Sequence, residues 1–126
     1  MTHSVISLFG RAGLAMIFVM AGFGKITGYS GTVGYMESVG LPGMLLPLVI
    51  ALELGGGLAL IAGFLTKPIA AALALFSVVS AFIFHANFGD QMQSIMFMKN
   101  IGLAGGLLLL VANGPGEISV DSKLAA

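Results

Sequence analysis

Six side chains stand out against an apolar background: Arg11, Lys25, Glu53, His85, Lys99 and Asn100. The sharpest is Glu53, the one carboxylate in the stretch Leu45–Leu65, which is otherwise aliphatic, glycine or aromatic apart from Pro47. A helix over that stretch, at ~1.5 Å per residue, crosses the ~30 Å hydrocarbon core of a bilayer. A charged side chain near the centre of such a span costs roughly 2.5–3.5 kcal/mol on insertion scales. Glu53 therefore needs a partner, a polar cavity or a ligand. The chemistry open to the set is proton uptake at Glu53, proton donation or hydrogen bonding at His85, and capture of an anionic or carbonyl group by Arg11, Lys25, Lys99 and Asn100. Glu53 and His85 are the two candidates for a catalytic role.

The elements that must carry these groups are four apolar segments: Ser4–Phe23, Leu45–Leu65, Ile69–Phe84 and Ile95–Ala112. Their lengths fit helices, and the ten-residue alternation of barrel strands is absent. Thr66-Lys67-Pro68 reads as a tight turn, with Pro68 suited to the first turn of the next helix. The longer connection Ile26–Gly43 is broken by glycines and Pro42, and Thr32–Val39 within it suits one or two interfacial turns. Ala86–Gln93 is the third connection. Short connections make successive helices antiparallel, so the expected architecture is an all-α, membrane-embedded antiparallel four-helix bundle over residues 1–115. The polar stretch 116–126 is expected to hang free. Small residues at Gly55/Ala59/Gly63, Ala70/Ala74 and Gly102/Gly106 suit close helix packing.

Counting residues along this up-down path gives two polar layers. Arg11 and Glu53 fall within side-chain reach on the side of the N-terminus, and the simplest expectation is that they pair. Lys25, His85, Lys99 and Asn100 gather toward the opposite side, with Glu37 and Asp90 available from the connections. Arg11, Phe18 and Lys25 recur every seven residues and so share one face of the first helix. Structural readings compete with the chemical ones: a buried pair fixing register, an interfacial histidine, lysines reaching the headgroups.

Composition narrows the classes. The chain of 126 residues is 58% hydrophobic and 8% charged, against about 25% charged in soluble domains. Zero net charge and no basic cluster leave no footprint for nucleic acid. The lack of cysteine removes disulfide, thiolate-metal and iron–sulfur chemistry, and the Met92, Met96, Met98 cluster reads as packing rather than as a metal site. The Met-Thr-His-Ser start lacks the basic region of a signal peptide. Lysine and arginine are balanced between the two sides, and both termini are expected in the cytoplasm because a short polar tail is cheapest to leave untranslocated.

The order of these features resembles the DoxX-like family of bacterial four-helix inner-membrane proteins. The carrying residues are Arg11, Gly22-Phe23-Gly24-Lys25, Gly40-Leu41-Pro42, Glu53 with Gly55-Gly56-Gly57 and Gly63, His85, Lys99-Asn100, and the Gly114–Asp121 ending. The family takes its name from a subunit of a thiosulfate:quinone oxidoreductase, and most members have no assigned activity. The resemblance implies a redox-linked membrane setting, a quinone as the possible cofactor, and a soluble or membrane oxidoreductase subunit as the possible partner. The leading expectation is therefore that a quinone-like or small polar or anionic molecule binds within the bundle. A non-catalytic accessory subunit or scaffold, and a small-solute transporter built from a homo-oligomer, are the competing classes.

Overall fold

The computed structural model describes residues 2–125. Four long helices form the body: α1 (Thr2–Thr27), α3 (Gly43–Ala62), α4 (Thr66–Phe84) and α5 (Gln91–Asn113). Two shorter ones, α2 (Tyr29–Ser38) and α6 (Val120–Ala125), lie in the first connection and the C-terminal segment. Each long helix is apolar and long enough to cross a bilayer. Their outer faces carry large bare hydrophobic side chains such as Phe9, Met20, Leu48, Leu75, Phe82 and Leu109. In water such a surface would aggregate; in lipid it is the solvated face.

Local sequence sets the ends. Asp90 accepts a hydrogen bond from the Met92 N–H (3.0 Å) and starts α5, and Gly114 in a left-handed φ of 78° ends it. Pro68 lies in the first turn of α4, where its missing N–H leaves no bond unmade. Helix α3 is less regular than its composition suggests. It opens with a 3-10 turn, Gly43–Leu45, and its middle, Ala51–Gly55, is a π turn centred on Glu53. A π turn widens the ring of backbone bonds by one residue and re-aims the side chains it carries, and such turns recur at functional sites.

The long helices pack as two tight pairs, α1 with α3 and α4 with α5, and the pairs meet through fewer contacts. Within the first pair the backbones nearly touch. A methyl at Gly57 would sit 3.0 Å from the Val19 backbone nitrogen and 3.2 Å from the Ala15 carbonyl oxygen, so only glycine allows this approach. The small-residue expectation is corrected in part: Ala70, Ala74 and Gly63 are buried as expected, but in α3 the buried glycines are Gly56 and Gly57, whereas Gly55 and Gly102 are exposed. The common core joins the pairs through Ala15, Phe18, Leu60, Ala70, Leu73, Ala74, Ala104 and Leu107. Toward the α2 end the two pairs and α2 enclose a cavity, which holds the candidate site.

Candidate functional site

Between the two pairs lies a cavity of about 470 Å³, within the size range of small-molecule sites. Its walls are mainly apolar, from Ile17 and Phe18 of α1, Phe76 of α4 and Leu103 of α5. Five of the six singled-out residues line it: Lys25, Glu53, His85, Lys99 and Asn100. They arrive from four different helices or helix ends, so no single local pattern encodes their convergence. Thr32 and Tyr35 of α2 and Ser77 and Ser80 of α4 add hydroxyls. None of these four was singled out from the sequence; serine and threonine are too common in membrane helices to mark themselves.

The most buried charged group lining the cavity is Glu53, only 4% exposed, and its partner is Lys25: Nζ lies 2.6 Å from Oε1. Lys25 is half-buried near the end of α1 and reaches inward to the carboxylate. Lys99, on α5, is exposed on its outer side and also lines the cavity. The Ser77 hydroxyl, on a residue 2% exposed, has no hydrogen-bond partner, a cost normally avoided in buried positions. His85 follows the last turn of α4, and its Nδ1 lies 2.7 Å from Oε1 of Gln93 on the first turn of α5. An amide oxygen only accepts, so Nδ1 carries the proton of this contact. Helix α2 covers this end: Met36 is buried, and the Tyr35 and Phe84 rings pack with centroids 5.1 Å apart.

Arg11 does not meet Glu53. That expected pair rested on matched depth, but the Lys25 ammonium takes the carboxylate and Arg11 turns toward the N-terminal side. Arg11 is 3% exposed, and its guanidinium donates to three backbone carbonyls: Pro115, Ile61 (3.1 Å) and Ile118 (2.9 Å). One of these, Ile118, belongs to the segment expected to hang free, and that expectation is also corrected. Residues 114–125 fold back across the bundle as a strap. The Ser7 hydroxyl donates to the Pro115 carbonyl (3.1 Å), and the Ser4 hydroxyl to Glu117 (3.3 Å). Of the two loop carboxylates, Asp90 is committed to capping α5 and Glu37 is exposed; neither lines the cavity.

Asp121 locks the strap. Its carboxylate accepts from the N–H groups of Leu65 (2.8 Å) and Thr66 (2.9 Å), capping α4 from a distant part of the chain. Its own N–H donates to the Gly63 carbonyl (2.9 Å). The turn it holds is strained, since Gly63 and Leu65 both have positive φ, 74° and 48°, and Leu65 is not a glycine. Partial desolvation pushes the Asp121 carboxyl pKa up, but the bonds from Thr66 and Leu65 and the nearby Arg11 charge outweigh it, leaving the pKa below the usual carboxylate range. The folded pKa is thus depressed, so this stabilisation is present above the unfolded value and is lost as pH falls through the folded one. We expect amide exchange in residues 116–123, corrected for intrinsic rate, to accelerate on acidification below about pH 4. An Asp121→Asn variant should flatten that acid response.

These features define a class: a polytopic helical membrane protein with a polar-lined cavity at one end of its bundle and a strap at the other. The comparisons agree. Residues 6–86 match the DoxX family. Two proteins of Escherichia coli (strain K12) resemble the chain over nearly its whole length. Inner membrane protein YqjF is 52% identical over 117 residues, spanning 93% of this chain and 90% of the relative. Inner membrane protein YphA is 36% identical over 126 residues, spanning 94% and 90%. No solved structure matches at a comparable level. The chain belongs to the DoxX family and is a multi-pass inner membrane protein. Lys99 and Asn100 lie beyond the residues matched to the family, on the helix that completes the cavity.

Proposed function

We propose that the cavity binds a small amphipathic molecule, with a quinone-like head or another polar or anionic group, in a redox-linked membrane system. The observation that carries this reading is convergence: five polar side chains from four helices or helix ends line one apolar-walled space. A purely structural ion pair would need no such room beside it. The donor set suits a quinone, whose two carbonyl oxygens accept hydrogen bonds. Lys99 and Asn100 supply donors, while Phe18, Phe76 and Leu103 supply flat or branched apolar walls. When bound, a quinone would supply electron- and proton-accepting chemistry. The chain's own part would be to orient the ring, exclude lipid, and hold protons at His85 or Glu53. Electrons would come from a partner, since no residue here carries them. Arg11 does not line this cavity, and its Nη1 and Nη2 donate to carbonyls at the other end.

Titrating the purified protein with short-chain ubiquinone and menaquinone analogues tests the reading. Wild type should bind saturably, and His85→Ala and Lys99→Ala should each weaken binding, Lys99→Ala by about tenfold, the worth of one charge-assisted hydrogen bond. Wild type that fails to bind, or variants that bind equally well, would remove the assigned site.

A further inference from the structure

We infer that the cavity selects an amphipathic monoanion, with Lys99 as the charge that recognises it. This deepens the proposed binding role and rests on it. The charges lining the cavity are Lys25, Lys99 and Glu53, and no other carboxylate lines it among the described residues. Two cations face one anion. The Lys25 ammonium is matched by Glu53 at 2.6 Å, which leaves Lys99 as the excess. Lys99 has no carboxylate partner within ion-pair distance among the described residues, although its charge is felt at Glu53. The nearby acids cannot supply one: Asp90 caps α5 and Glu37 is exposed outside the cavity.

An uncompensated cation bordering an apolar space at membrane depth is costly, and a single negative charge on a ligand would cancel it. Next to Lys99 in the chain, Asn100 also lines the cavity, and its amide offers a neutral donor suited to the oxygens of a carboxylate, sulfonate or phenolate head. The apolar walls then require that the head be attached to a hydrocarbon or aromatic body. A dianion would overshoot the charge balance and repel Glu53. His85 is not part of this recognition, because its Nδ1 is engaged by Gln93.

The test is a matched pair of probes, 1-naphthoate and its neutral counterpart 1-naphthamide. Both are titrated into full-length protein in phosphatidylcholine nanodiscs, with empty nanodiscs as baseline. The chain has no tryptophan, so naphthalene fluorescence is read without an indole background. We expect naphthoate to bind at least about tenfold tighter than naphthamide. Lys99→Gln, a change at an exposed position, should bring the ratio close to one by weakening naphthoate alone. Equal binding of the two probes to wild type would overturn the charge selection while leaving the cavity as a binding site. A Lys99→Gln protein that keeps the preference would overturn the assignment to Lys99. Binding of neither probe would remove both this inference and the reading beneath it.

Discussion

Arg11→Ala will destabilise the protein by about 3–5 kcal/mol and release the C-terminal strap, the largest effect expected of any single substitution here. The reason is the number of groups it strands. Pro115, Ile61 and Ile118 each lose a charge-assisted donor to a backbone carbonyl. Gly63, against which the guanidinium carbon packs closely, loses a neighbour in the same step. Arg11→Lys should recover only part of the loss, because one compact ammonium replaces a planar fork that reaches three acceptors at once. The measurement is reversible unfolding in mixed micelles, together with protease cleavage between residues 114 and 125. Wild-type stability with the strap still protected in Arg11→Ala would show that these carbonyls find other donors at no cost.

The second large effect concerns the ion pair at the cavity. Lys25→Met should cost about 2–4 kcal/mol, since it strands the Glu53 carboxylate in mid-span at 4% exposure. Glu53→Leu should cost less, because Lys25 sits near the end of its helix and can turn its ammonium toward the headgroups. The double variant Lys25→Met/Glu53→Leu should stand close to wild type, an isosteric apolar pair replacing a buried charged one. A double-mutant cycle on thermal unfolding reads all three. Additive losses, or a Lys25→Met protein as stable as wild type, would show that the two groups are not energetically coupled.

Much of the architecture was legible because a bilayer imposes it. Apolar runs long enough to cross can only be helices or barrel strands, and their lengths decide between the two. The four expected segments lie within or close to the helices that form, with boundaries shifted by a few residues. The partner of Arg11 was not legible. Depth along a helix can be counted from sequence, but the angle at which a side chain leaves depends on packing, and backbone carbonyls are acceptors that every residue carries. The strap was missed because a polar stretch after a span reads as solvated, whatever it caps. The π turn at Glu53 left no mark either, since Ala51–Gly55 scores as ordinary helix by composition. It was the heptad of Arg11, Phe18 and Lys25 that pointed inward most reliably: Arg11 and Phe18 are buried, and Lys25 reaches the carboxylate beneath it.

The bonds from Arg11 to Pro115 and Ile118 join residues more than a hundred positions apart, 104 and 107 along the chain. During synthesis the first span therefore enters the bilayer with its cation provisional, satisfied only by water or headgroups near the surface. Its lasting acceptors are made after three further spans have been threaded. Assembly thus has a fixed order, in which the earliest charge is settled by some of the latest residues and docking of the strap reports that the bundle beneath it is complete.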